Sequence, residues 1–275
     1  MFRSTVVVGS FLALALTAAA ADAPSPAAKL TAEQVVTKNI AARGGLQAWR
    51  AVQTLAMSGK MDAGGNESPT RLAVPGIKAA GAALPKRPAE QARLPFRLEL
   101  KRGGKSRLEI DFRGETAVQV YDGAKGWKLR PFLNRHEVEP FTSDEMKALA
   151  MQSDVDGPLV DYAQKGTKVE LEGSEKVEGN DAYRLKLTLK NGTSQRVWVD
   201  AKTFLETKID GAPRRLDGKM HAVEVYYRNY RAVNGLTLPQ LMETKVEGVR
   251  QTEKIDIEKV TVNSRVEDSR FAKLQ

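Results

Sequence analysis

The sequence predicts a mainly β protein, an open or half β-barrel of about 11–12 antiparallel strands with helices covering its concave face. Residues 181–210, DAYRLKLTLKNGTSQRVWVDAKTFLETKID, carry the first observation behind this. Tyr183, Leu185, Leu187 and Leu189 alternate with Arg184, Lys186, Thr188 and Lys190, the period of a strand with one face out of water. Asn191-Gly192 reads as a tight primed turn with two positive-φ positions, Val197 to Val199 as the return strand, and Phe204 to Ile209 as a third strand. Second, the same grammar recurs in hairpin order with no alternation of strand and helix, which excludes a doubly wound sheet. Third, an antiparallel sheet this long curls into a barrel or half-barrel.

Thr31 with Gln34 forms a capping-box pattern, and Val35, Val36, Ile40 and Ala41 make a helical stripe that stops at Gly44-Gly45. Leu46 to Val52, with Trp49, reads as a second short helix, and Leu55, Met57, Gly59 and Met61 as the first strand. Residues 62–93 hold Pro69, Pro75, Pro85 and Pro88 and no sustained period, so they read as a long irregular loop. Phe96, Leu98 and Leu100 pair through Gly103-Gly104 with Leu108, Ile110 and Phe112, and Thr116 to Tyr121 pairs with Trp127 to Pro131. Thr142 or Ser143 caps a helix with Met146, Leu149 and Met151, ended by Asp156-Gly157-Pro158, and Leu159 to Ala163 reads as a further short helix. Strands resume at Thr167 and continue through 220–231, 236–247 and 250–262, with Asn234-Gly235 as another tight turn.

Residues 1–21 have the form of a secretory signal peptide: Arg3, an apolar run from Val6 to Leu16, then small residues to Ala21. The run is shorter than the roughly 20 residues that span a bilayer. Residues 22–30 read as a disordered linker, and 31–275 as a single domain. The expectation is therefore a soluble periplasmic monomer. There is no cysteine, so neither disulfides nor the lipidated N-terminal cysteine of a bacterial lipoprotein is expected. The formal charge is +9. Export makes nucleic acid a poor partner for it, and scattered basic side chains serve solubility. The densest basic run lies between Lys86 and Arg107.

Catalytic equipment is missing from the pattern. His136 and His221 stand isolated, and there is no G-x-S-x-G, P-loop, G-x-G-x-x-G or H-E-x-x-H. Asp154-Val155-Asp156-Gly157 lacks the distal glutamate of a calcium loop and reads as a helix terminator. No catalytic residue, metal ligand or cofactor is predicted. What remains is apolar surface: a half-barrel closed by helices holds a lumen suited to acyl chains. The candidate wall is Trp49, Leu55, Met57, Leu98, Leu108, Ile110, Val118, Val120 and Trp127, with Met146 and Leu149 from the covering helix. Each of these types is also ordinary core.

Several stretches resemble the outer-membrane lipoprotein-sorting protein family, the LolA-like carriers. They are VVTKNIAARGGLQAWRAVQTLAMSGKM at 35–61, KSRLEIDFRGETAVQVYDGAKGWKLRPF at 105–132, DGPLVDYAQKGTKVELEGSEKVEGNDAYRLKLTLKNG at 156–192, VWVDAKTFLETKID at 197–210, NGLTLP at 234–239 and EDSRF at 267–271. The resemblance implies an unclosed LolA/LolB-like barrel with a helical lid, a hydrophobic cavity for lipoprotein acyl chains or other lipid, and a membrane-associated donor or acceptor protein. It also implies an arginine hydrogen-bonded to the lid, for which Arg43, Arg50, Arg97 and Arg107 are all open. The expected function is a non-catalytic carrier or chaperone. The alternative is an envelope-stress sensor of the same fold, with Lys86 to Arg107 as the surface for a membrane partner.

Overall fold

Thr31 starts the ordered architecture. Its hydroxyl accepts from the Gln34 amide while the Gln34 side chain accepts from the Thr31 amide, satisfying two donors that a helix start leaves open. The computed structural model describes residues 30–64, 91–131, 134–216 and 218–274. The predicted signal peptide, nearly all of the linker and the middle of the 62–93 connection lie outside the described residues. Helix α1 (Ala32–Ala42) buries Val35, Val36 and Asn39. Helix α2 (Leu46–Arg50) buries Trp49 and ends two residues before the expected Val52.

Among the described residues, thirteen strands form one antiparallel sheet. From one edge, the first six are β6 (Arg135–Pro140), β5 (Gly126–Arg130), β4 (Glu115–Tyr121), β3 (Lys105–Phe112), β2 (Gln91–Lys101) and β1 (Thr54–Gly64). The order continues through β17 (Glu253–Val262), β16 (Leu241–Val246), β13 (Val223–Arg228), β10 (Glu206–Asp210), β9 (Ser194–Asp200), β8 (Asn180–Thr188) and β7 (Lys168–Val177). The edges β6 and β7 do not pair with each other, so the sheet stays open. Helix α3 (Ser143–Gln152) joins the two edges in sequence, and two hairpins stand apart, β11 (Arg214–Leu216) with β12 (Lys219–His221) and β14 (Arg231–Val233) with β15 (Leu236–Leu238).

The mainly β, open antiparallel architecture is the one the sequence predicts. Several details differ, each for a physical reason. The irregular loop is shorter than 62–93, because β1 and β2 continue their ladder through Asp62↔Arg93, Ala63↔Ala92 and Gly64↔Gln91. Strand β6 escapes the periodicity test because it is an edge strand, whose charges and terminal proline discourage further pairing. The runs 220–231 and 236–247 are each divided. Asn229 adopts φ 55° in the first, and Pro239, which lacks a donor, interrupts the second. Leu159 to Ala163 forms turns rather than a helix, with Asp161 at φ 51°. At Asn191-Gly192 only the glycine has positive φ, 82°. The Asn191 side chain instead accepts from the Thr193 amide. Asn234-Gly235 does have both positions positive, at 49° and 81°.

That second turn meets the first helix. Gly44 has φ 112°, and a Cβ there would collide with the Gly235 carbonyl oxygen. Beside it the Thr237 amide donates to the Arg43 carbonyl at 2.9 Å. Gly44→Ala therefore combines left-handed strain with a backbone clash, and is expected to cost about 3 kcal/mol in urea unfolding. Gly103→Ala, at φ 94° with open space around the new methyl, is expected to cost about 1 kcal/mol. Equal costs would remove the close approach from the account.

Candidate functional site

Directly paired residues of neighbouring strands project to the same face. Leu55 pairs with Leu100 and Val262, and Met57 with Leu98 and Val260. Leu98 pairs in turn with Leu108, and Phe96 with Ile110. Leu55, Met57, Leu98, Leu108 and Ile110 thus share the face on which Trp49, Val52, Val155, Val160, Leu236 and Leu238 pack. This is the inner, helix-covered face.

Burial along it is uneven. Toward the β7 edge, Leu185, Leu187, Val197 and Val199 are all 0% exposed, a filled core. Across β16, β17, β1, β2 and β3, Met242, Ile255, Met57, Met61, Val260, Leu98, Leu108 and Ile110 are only half-buried although they face inward. One line of pairs crosses five strands here: Tyr227↔Met242, Met242↔Ile255, Ile255↔Met61 and Met61↔Leu94. A contiguous, incompletely covered apolar strip is the kind of surface that binds something.

Helix α3 lies over the far end of this face. Its start repeats the reciprocal cap, Thr142 with Glu145. Lys128 Nζ donates to both Glu145 carboxylate oxygens at 2.5 and 2.7 Å, and the Ser153 hydroxyl donates to Ser106 Oγ at 2.7 Å. Met146 Sδ sits 3.1 Å from where a Cβ of Gly126 would be, so only glycine there admits Met146 and Phe141 this close. Met146 and Leu149 are half-buried, while Trp49 and Leu55 are buried in the cluster between helices and sheet.

Three predicted wall residues lie elsewhere. Val118 and Val120 pair with Glu109 and Arg107, and Val120 with Trp127, which places all three on the outer face. There Phe271, from a 3-10 turn at Asp268–Phe271, is 1% exposed against Val118 and Val120, with Trp127, Val266 and Leu274 around it. Strand β4 is apolar on both sides, Ala117 and Tyr121 inward and Val118 and Val120 outward, because a C-terminal strap covers it. Counting from the two-residue turn Arg113-Gly114 reveals the register.

The arginines resolve into two groups. On the inner side, Arg43 Nη1 donates to the Asp156 carbonyl at 3.1 Å and lies 3.2 Å from Glu206 Oε1, with its guanidinium 4.2 Å over the Trp49 ring. Arg50 grips Asp161 with two hydrogen bonds, which hold that carboxyl below its usual range. Arg102, which sequence reading does not single out, donates to both Asp156 oxygens and to the Val52 and Trp49 carbonyls. Arg97 and Arg107 instead pair on the outer face with Glu99 and Glu109, where Arg270 bridges the same two carboxylates. Of the other basic side chains between 86 and 107 that are described, Lys101 and Lys105 meet Asp268, and Arg93 meets Asp62 and Asp256.

Glu206, Tyr227 and Tyr230 also go unnoticed in the sequence. Strict alternation from Ile209 turns Glu206 outward, but a bulge between Glu206 and Lys208 reverses it. The Tyr230 hydroxyl donates to the Glu206 carbonyl at 2.9 Å. Desolvation raises both phenols far above their ordinary value, and Glu206 adds to the effect. His221 Nδ1 lies 2.9 Å from the Glu247 carbonyl, and among the described residues no group of three or more His, Cys, Asp or Glu is placed to hold a metal.

The class these features define is an open antiparallel half-barrel with helices over a partly accessible apolar face. No family model matches the sequence, and no curated protein does. Solved structures match in fold. A LolA superfamily protein of Nitrosomonas europaea aligns over 89% of this chain and 98% of its own at 13% identity, TM-score 0.54. A Vibrio parahaemolyticus domain assigned to outer membrane lipoprotein sorting covers 87% and 95% at 16% identity, TM-score 0.52. A DUF1329 family protein of Desulfovibrio piger covers 88% and 97% at 15% identity, TM-score 0.54. At these identities the likeness is one of fold, and the fold is LolA-like.

Burial opposes ionisation of Glu145, but Lys128 and the Thr142 cap outweigh it and lower its pKa. A depressed carboxyl contributes stability above its unfolded pKa, about 4.3, and loses it as pH falls through the folded value. Hydrogen-exchange protection of residues 143–152, corrected for intrinsic rates, is thus expected to fall below about pH 4 before that of β8 and β9. In Glu145→Gln the helix is expected to be less protected already at pH 7, and to lack this acid step. Retention of the step in the variant would assign it to another group.

Proposed function

We propose that the protein is a non-catalytic periplasmic carrier that holds lipid or lipoprotein acyl chains against the half-covered inner face, in the service of outer-membrane lipoprotein sorting. The observation that carries this reading is the incomplete burial of Met57, Met61, Leu98, Leu108, Ile110 and Met242 on a face otherwise packed with helices. Acyl chains have no polar groups to satisfy, so a wall that offers dispersion contacts without directional partners suits them. Methionine is unbranched and polarizable, and fits chains of irregular shape. Trp49, Leu55, Met146 and Leu149 form the helix-side boundary of this site; Val118, Val120 and Trp127 support the sheet from behind.

The segment 1–21 directs export, and 31–275 acts as one carrier domain and as a monomer, with no cofactor. A membrane-associated protein donates or receives the lipid. The LolA-like fold supports the carrier reading.

Placing a charge in the strip tests the reading. Met57→Glu and Ile110→Glu are each expected to weaken binding of a fluorescent fatty acid at least about 10-fold, since an unpaired carboxylate in apolar surroundings costs well over 1.4 kcal/mol. Met220→Glu, at a side chain 53% exposed on the β11–β12 hairpin, is expected to leave binding unchanged. Folded variants that all bind like the parent protein would overturn the assignment of the strip.

A further inference from the structure

The inner face carries a polar cluster that acyl-chain binding leaves unused. Arg43 and Glu206 form an ion pair at 3.2 Å with both side chains 10% exposed. The Arg43 guanidinium is stacked on Trp49, and Tyr230 is committed to the Glu206 backbone. Tyr227 projects to the same inner face: it shares a face with Val225, which pairs with Ile209 on β10, and Glu206 turns inward on that strand. Tyr227 is half-buried although it faces inward. Tyr227 is also the first residue of the line that continues through Met242, Ile255 and Met61 to Leu94. A phenol hydroxyl therefore stands at one end of the apolar strip.

We propose, on the carrier reading above, that Tyr227 and the Arg43–Glu206 pair receive the head of the bound lipid, and that they select an uncharged glyceride head over a carboxylate or phosphate head. The charge balance supplies the reason. Glu206 already neutralises Arg43, so an anionic head must either compete with a tethered carboxylate or leave that carboxylate buried and unpaired, which is strongly unfavourable. A free fatty acid head meets Glu206 as a like charge. A glycerol hydroxyl or ester carbonyl leaves the pair intact. The ester oxygen accepts from Tyr227 O–H, and a hydroxyl donates to the Glu206 carboxylate, each at the ordinary strength of a hydrogen bond in a dry site. Tyr227 and Glu206 are the contacts in this arrangement, and Arg43 is the positioning residue that holds Glu206.

Competition binding with lipids that share one oleoyl chain tests it. The probes are monooleoylglycerol, oleate at pH 8.5 and oleoyl lysophosphatidic acid, each displacing diphenylhexatriene from the full mature protein below its critical micelle concentration. Monooleoylglycerol is expected to bind at least about 10-fold tighter than either anion. Tyr227→Phe is expected to weaken monooleoylglycerol about 5-fold, one hydrogen bond's worth. Glu206→Gln leaves Arg43 uncompensated and is expected to raise oleate affinity about 10-fold or more, reversing the preference. Equal or tighter binding of oleate to the parent protein, or a Tyr227→Phe protein with unchanged monooleoylglycerol affinity, overturns the head-group assignment and leaves the carrier reading standing. Failure of diphenylhexatriene and all three lipids to bind overturns both.

Discussion

Arg43 is the contact on which the arrangement of helices and sheet depends. It ends α1, and its carbonyl accepts from the Trp49 indole at 3.1 Å and from the Thr237 amide at 2.9 Å. Its side chain reaches the opposite way, to the Asp156 carbonyl, to Glu206 and over the Trp49 ring. One residue thereby joins α1, α2, the β14–β15 hairpin, the segment that follows α3, and the sheet. A buried guanidinium is tolerated only where a counter-charge and acceptors surround it, and those partners are drawn from distant parts of the chain. The Gly44–Gly235 approach is the steric counterpart of this node: two backbones come close because Gly44 carries no side chain there.

The node also explains where the inner face is filled and where it is not. Between α1 and β7 to β9 the core closes completely, with Leu185, Leu187, Val197 and Val199 shut off from solvent. Beyond Arg43 the covering elements are α2, α3 and the turns at 153–167, which are anchored by polar contacts: Arg50 to Asp161, Arg102 to Asp156, Lys165 to Asp154, Lys128 to Glu145 and Ser153 to Ser106. Trp49, Val155 and Val160 fill the space beneath them, and the inward side chains beyond, among them Met61, Leu108 and Ile110, stay half-buried. The half-buried apolar strip is the outcome, and it is the property an acyl-chain site needs.

Much of this was legible in the residues. Alternation along 181–190 and in β2 and β3 defined strands, hairpin order defined an antiparallel sheet, and Thr31-Gln34 and Thr142-Glu145 located helix starts, because each is a local pattern with a local cause. The placement of Leu55, Met57, Leu98, Leu108 and Ile110 on one face follows from the same alternation. What escaped depends on partners remote in sequence. Val118 and Val120 look like lumen wall until the strap bearing Phe271 is known to cover the outer side of β4. Glu206 looks outward until the bulge before Lys208 is counted, and Arg102 is one basic residue among many until Asp156 is brought to it. Alternation reports that a face is covered; the identity of the cover is a tertiary fact.

The central claim is that the half-covered inner face holds lipid in the cell. Native mass spectrometry of the mature protein released gently from the periplasm, without detergent, tests it most directly. The account predicts a bound mass of one lipid per chain, released on collisional activation and absent or strongly reduced in Met57→Glu. A protein that emerges ligand-free at every stage of growth, and stays so after exposure to envelope lipid extract, would contradict it.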